Sequence, residues 1–191
     1  MDDYLENLNA TNVAHDNQKQ THWAYIAGIM DADGCFLISK HKRKTPENRK
    51  WVVLFERTPT YIPSVKISMI EKEAIDFITN EVGFGKYNLN GARKGRPNSK
   101  PIYNWYMRGK HVIPFLENVI PFLKVKKERA QFILQFARNF KNTKDGYHGV
   151  PDDELDYRET SYIHMRELNG NKVAATTKFH RHVSVSDSLA S

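Results

Sequence analysis

Apolar residues recur along this chain with two distinct periods. Val65, Ile67 and Met69 alternate with Lys66 and Ser68, the period-two pattern of a strand with one apolar and one polar face. Ala74, Ile75, Ile78 and Val82 follow helical spacing instead, which predicts a helix over residues 71–82 with Gly83 as its stop. Ala130, Ile133, Leu134 and Ala137 form a second helical stripe within residues 125–140. Around these elements the sequence predicts a helix over 21–30 capped by Thr21, a strand over 35–40 and a strand over 51–55. A hairpin follows, from strands over 86–90 and 102–107, then helices over 111–119 and 152–169. The acidic first turn of the last helix suits its dipole, and Gly170 marks its end.

The order helix, strands, helix, strands, helices predicts an α+β fold, an antiparallel sheet with helices on one face. One face of such a sheet needs cover, and the other stays polar and contiguous. Residues 1–20 are polar and short of large apolar side chains, and read as a mobile N-terminal arm. Residues 21–170 form one domain, and 171–191 read as a flexible C-terminal tail. There is no internal repeat.

Composition narrows the partner. A chain of 191 residues with three Trp, nine Tyr and ten Phe can bury a real core. Its formal charge is +7, unevenly spread: residues 40–110 hold sixteen Lys/Arg against six Asp/Glu. A basic middle predicts a polyanionic partner, most plausibly nucleic acid, although a solubilising surface accounts for +7 alone equally well. The single cysteine, Cys35, excludes an internal disulfide and a cysteine-based zinc site. The histidines show no metal-binding spacing. No apolar run is long enough for a bilayer, so no membrane partner is expected.

Chemistry concentrates in residues 25–36, Tyr-Ile-Ala-Gly-Ile-Met-Asp-Ala-Asp-Gly-Cys-Phe. A short apolar helix with small residues at Ala27 and Gly28 ends in two acids, Asp31 and Asp33, and a glycine, Gly34. Small residues let a partner helix approach closely. The carbonyl end of a helix is already negative, so two carboxylates there are costly unless a cation is bound. Oxygen donors at such a position suit a hard divalent ion such as Mg²⁺.

Ile26 to Gly34 resembles the LAGLIDADG motif of homing endonucleases, with changes at the first, fourth and fifth places. Asn80-Glu81-Val82-Gly83-Phe84-Gly85 is similar to the helix close of that family, and the stretch from Pro121 to Gln131 to its lysine-bearing helix start. Three landmarks in this order resemble the single-motif, homodimeric branch. The resemblance implies a saddle-shaped antiparallel sheet lying on the DNA major groove. It implies Asp33 as the catalytic, metal-binding acid, with the carbonyl of Ala32 as a further metal ligand. It implies Lys126 as the active-site lysine, with Lys124 and Lys127 as alternatives one register away. Two motif helices are expected to meet on a two-fold axis, with Ala27 and Gly28 at the contact and Asp31 capping or bracing the pair. Family members often carry a polar residue, commonly Gln, just after the third strand, where this chain has Met69; Lys72 is the candidate to replace the nearby positive charge.

The polar positions of the strands are candidate DNA-reading residues: Ser39, His41 and Arg43, then Lys66 and Ser68, then Asn88 and Asn90, then Asn104. Arg49, Arg93, Lys94 and Arg96 lie at predicted hairpin tips and suit backbone phosphates, as does Lys172 after the last helix. The expected function is a homodimeric, Mg²⁺-dependent endonuclease that cuts both strands of double-stranded DNA at a long, near-palindromic site. The rivals on the same scaffold are an RNA maturase binding a folded intron RNA and a cleavage-inactive DNA-binding regulator.

Overall fold

The computed structural model describes residues 2–41, 59–91, 99–140 and 150–171, with side chains from Asn17 onward. Helix α1 spans Asp2–Ala32 and leads directly into strand β1, Gly34–His41. Strand β2 (Thr60–Met69), helix α2 (Lys72–Val82), and strands β3 (Lys86–Asn90) and β4 (Ile102–Arg108) follow. A 3₁₀ turn then enters α3 (Val112–Val119), and α4 (Lys127–Asn139) and α5 (Asp152–Leu168) are the last described elements. The strands form one antiparallel sheet in the order β1-β2-β4-β3.

The alternation read from the sequence fixes the sheet's two faces. Phe36, Ile38, Val65, Ile67, Trp105 and Met107 point inward and are buried under the helices. Their neighbours in sequence point outward, as the pleat requires. Helix α1 packs with Ile26, Ala27 and Met30, all fully buried, at helical spacing. Each large side chain buried this way contributes on the order of 2 kcal/mol, so the end of α1 is firmly held. Helix α2 stops where Gly83 takes a left-handed φ of 71°, its N–H bonding the Thr79 carbonyl at 3.1 Å.

Several elements differ from the sequence reading. Helix α1 begins at Asp2 rather than Thr21, so residues 2–20, expected as an arm, are helical. Thr21 is an interior position whose Oγ1 donates to the Asn17 carbonyl at 2.9 Å, a bond a helix tolerates and a cap does not make. The strand expected over 51–55 lies outside the described residues; the strand after β1 is β2. Helix α4 starts at Lys127 because the amides of residues 124–126 are turned toward another acceptor.

Candidate active site and nucleic-acid interface

Helix α1 delivers its acids to the point where β1 begins. Gly34 is buried there against Met30, and a Cβ would lie 2.6 Å from the Met30 carbonyl oxygen and 2.7 Å from its Cα. Only glycine lets the strand leave the helix so tightly. The Asp33 N–H still bonds the Ile29 carbonyl at 2.8 Å, closing the last turn. The Asp33 side chain is exposed, and no described residue hydrogen-bonds its carboxylate.

Two residues lock this end in place by reciprocal contacts. The Lys126 ammonium donates to three carbonyls at the end of α1 and start of β1: Met30 at 3.1 Å, Ala32 at 3.0 Å and Gly34 at 2.8 Å. Three donors meet three acceptors, and a positive charge sits on a negative helix end. In return, the Asp31 carboxylate accepts the amides of Lys124 (2.8 Å), Val125 (3.2 Å) and Lys126 (2.8 Å) at the entrance to α4. Burial alone would raise the Asp31 pKa, but the three amide bonds outweigh it and hold the carboxyl below its usual range. Burial pushes the Lys126 ammonium down, and the nearby charge of Arg129 adds to that.

The donor set suits a hard cation. The Asp33 carboxylate and the Ala32 carbonyl are both oxygen donors. Among the described residues no group of three or more His, Cys, Asp or Glu gathers anywhere.

The sheet's outer face carries the predicted reading residues. Cross-strand registry places Cys35 opposite Lys66, Lys66 opposite Tyr106, and Tyr106 opposite Lys86. Ser39 and His41 share this face on β1, Lys66 and Ser68 on β2, and Asn88 and Asn90 on β3. His41, Lys66, Asn88 and Asn90 are exposed. Ser39 is half-buried, 3.1 Å from the Ser64 hydroxyl. Asn104 is on the face but buried, 4 % exposed, and accepts a hydrogen bond from Ser68 at 2.7 Å, which ties β4 to β2.

Other expectations are corrected. Ala27 is wholly buried in its own protomer's core, so it offers no surface to a partner helix. The open side of α1 consists of Ala24, Tyr25, Gly28 and Ala32, and a Cβ on Gly28 meets nothing within 4 Å. Asp31, expected to brace a helix pair, is occupied within its own chain by the α4 amides. Met69 lies on the inner face, packed against the core, so it stands in for no polar residue; its outward neighbour is Ser68. Lys72 pairs with Asp76 one turn along α2 and is not drawn to Asp33. Arg43, Arg49, Arg93, Lys94, Arg96 and Lys172 lie outside the described residues.

Sequence reasoning missed Lys86, Tyr106 and Arg108 on the outer face, where the Arg108 guanidinium lies 5.2 Å from the Tyr106 ring centroid. The alternation of residues 102–108 held that signal. It also missed Arg129, in the first turn of α4, which lines the same pocket as Lys126.

Comparison with protein-family models finds no match, and comparison with curated proteins finds none. The fold does match solved structures. The homing endonuclease I-CvuI, in complex with DNA in the presence of Mg, superposes with a TM-score of 0.61 at 21% identity, over 82% of this chain and 87% of that one. The archaeal intron-encoded homing endonuclease I-Vdi141I, complexed with DNA, gives 0.57 at 17%, over 87% and 90%. The group I intron-encoded I-CeuI, also complexed with DNA, gives 0.53 at 16%, over 80% and 69%. With a motif helix that ends just before Asp33 and, among the described residues, a four-stranded antiparallel sheet, this chain has the fold of the LAGLIDADG homing endonucleases.

Proposed function

We propose that this protein is a homodimeric, divalent-metal-dependent homing endonuclease that hydrolyses both strands of double-stranded DNA at a long, near-palindromic site. The observation that carries the reading is Asp33. It is an exposed carboxylate at the negative end of a rigid helix, without a hydrogen-bond partner among the described residues, beside an outward-facing polar and basic sheet surface. The I-CvuI, I-Vdi141I and I-CeuI structures of this fold are DNA complexes.

A bound Mg²⁺ would activate water and neutralise the scissile phosphate. Asp33 and the Ala32 carbonyl are the donors that would hold it. Lys126 and Asp31 fix that end of α1 against α4, so the acid keeps one position as DNA arrives. Lys66, Lys86 and Arg108 supply phosphate contacts, and Ser39, His41, Ser68, Asn88 and Asn90 are the candidates for base edges. Each chain carries one such acid, and two strands need two. The open Ala24–Tyr25–Gly28–Ala32 side of α1 supports pairing of two copies there, which sets the two acids close to the axis.

The deciding experiment incubates the purified protein with plasmid carrying a candidate intron-insertion site, with Mg²⁺ and with EDTA. Double-strand cutting at one locus that EDTA abolishes supports the reading. Specific duplex binding without cutting under any divalent ion makes the protein a DNA-binding regulator. Binding confined to the folded intron RNA makes it a maturase.

A further inference from the structure

A pocket of about 520 Å³ runs along the edge of β1 that pairs with no described strand, between the start of α4 and the end of α5. Cys35 and Leu37 reach it from the outer side of the sheet, so it opens at the rim of the surface that carries Lys66. The edge strand is already tied down on this side: the Gly34 carbonyl accepts from Lys126, and the Phe36 carbonyl from Asn169 Nδ2 at 2.8 Å. The pocket's cations differ in what they face. Lys40 is paired with Glu159 at 2.5 Å, and Lys126 is spent on the α1 carbonyls. Arg129 and Arg166 are half-buried, and among the described residues neither meets a carboxylate. Arg166 has the Tyr162 hydroxyl at 3.3 Å and lies along that ring.

A half-buried guanidinium without a counter-ion is unfavourable, and two lining one pocket make a strongly positive notch. Guanidinium forks match phosphate oxygens in pairs, and a duplex presents a phosphate about every 1.7 Å of its axis. We infer that the β1-edge pocket seats a backbone phosphate of the duplex lying on the outer face, held by Arg129 and Arg166. The inference rests on the DNA-endonuclease reading and extends its footprint past the sheet's edge, onto residues that no strand pattern identifies. The role is binding: neither arginine is assigned to the chemical step.

The test uses the full chain and a fluorescent duplex of about thirty base pairs, with anisotropy titrations across a salt series. Arg129→Gln and Arg166→Gln should each lower affinity roughly tenfold and reduce the salt slope by about one unit per protomer. Arg129→Lys should restore the slope while recovering part of the affinity, because it returns the charge without the fork. Bound duplex should also shield Cys35 from maleimide in the wild-type protein, a readout that survives if a variant fails to fold. Unchanged slopes in both glutamine variants overturn the inference, as does Cys35 that alkylates equally fast with duplex bound. Inorganic phosphate shielding Cys35 as fully as duplex, at equal ionic strength, also overturns it in favour of a small-anion site. A wild-type protein with no salt-dependent duplex binding sinks the endonuclease reading itself, which is a separate result.

Discussion

The Lys126 ammonium lies 3.0 Å from the carbonyl oxygen of Ala32, the atom that stands beside Asp33 as an oxygen donor. A carbonyl oxygen has two lone pairs, so the lysine and a cation can share it. The contact answers a problem posed by the sequence: two acids at a helix end that is already negative. The ammonium offsets that charge from one side, and Asp31 sends its own charge away from the site, into the amides before α4. Asp33 is left as the acid whose carboxylate accepts no hydrogen bond from a described residue.

Asp33→Asn should therefore abolish cleavage and leave duplex affinity equal or slightly higher. On the proposed reading, the substitution removes the charge that would hold the metal and one source of repulsion toward phosphate. The fold should be unaffected, since the carboxylate accepts no described hydrogen bond. Single-turnover cleavage beside an anisotropy titration checks both halves. A variant cutting at the wild-type rate removes Asp33 from the mechanism.

Gly28 should separate assembly from folding. Its open side leaves room for leucine, and leucine is the better helix former by roughly 1 kcal/mol, so Gly28→Leu should leave the protomer at least as stable. The added side chain would hold two α1 helices apart and pull both acids off their phosphates. Light scattering should give the wild type twice 22.2 kDa and the variant about half that, with cleavage lost. A wild-type mass of 22.2 kDa at micromolar concentration contradicts the dimer.

Much of this was legible in the chain, for physical reasons that differ by element. Ile75, Ile78 and Val82 with Gly83 marked α2 to within a residue, because period and stop signal agreed. The outward positions of β1, β2 and β3 followed from period two alone. The burial of Asn104 was not legible, because the pleat gives the face but not the burial; its hydrogen bond with Ser68 is a tertiary fact. Ala27 was misread because a small residue suits a core and an interface equally, and α1 uses it for the core. The job of Asp31 was invisible because its partners lie 93 to 95 residues away. The same distance hid Arg129, which matters through a pocket shared with β1 and α5.

Asp31 also predicts a pH dependence with a definite sign. Burial alone would raise its pKa, but the three amide bonds hold the folded-state carboxyl below its ordinary value. The stabilisation is thus fully present above about pH 4 and is lost as pH falls through the lower, folded-state value. Three amide bonds to a partly exposed carboxylate stabilise by about 2 kcal/mol once solvent screening is discounted. Asp31→Ala should show that deficit in urea unfolding at neutral pH. The gap to the wild type should narrow as pH drops below 4. A gap constant with pH would mean that the carboxylate's charge does not act through those amides.

Lys126→Met tests whether the lysine does more than staple α1 to α4. Methionine keeps most of the aliphatic stem and removes the ammonium, so three carbonyls lose their donor together. Stability should fall by roughly 1–3 kcal/mol, moderated because water can reach the exposed Ala32 carbonyl. Duplex affinity should change little, since the ammonium is turned toward the protein. Cleavage at saturating protein should fall more than tenfold, for two reasons that act together. The acid loses its fixed position, and the charge that develops at the phosphate loses a nearby positive group. Thermal melting, salt-dependent binding and single-turnover cleavage of the same preparation separate the contributions. A variant that is destabilised yet cuts normally once bound would reduce Lys126 to a helix cap, and Lys124 and Lys127 would become the next residues to replace.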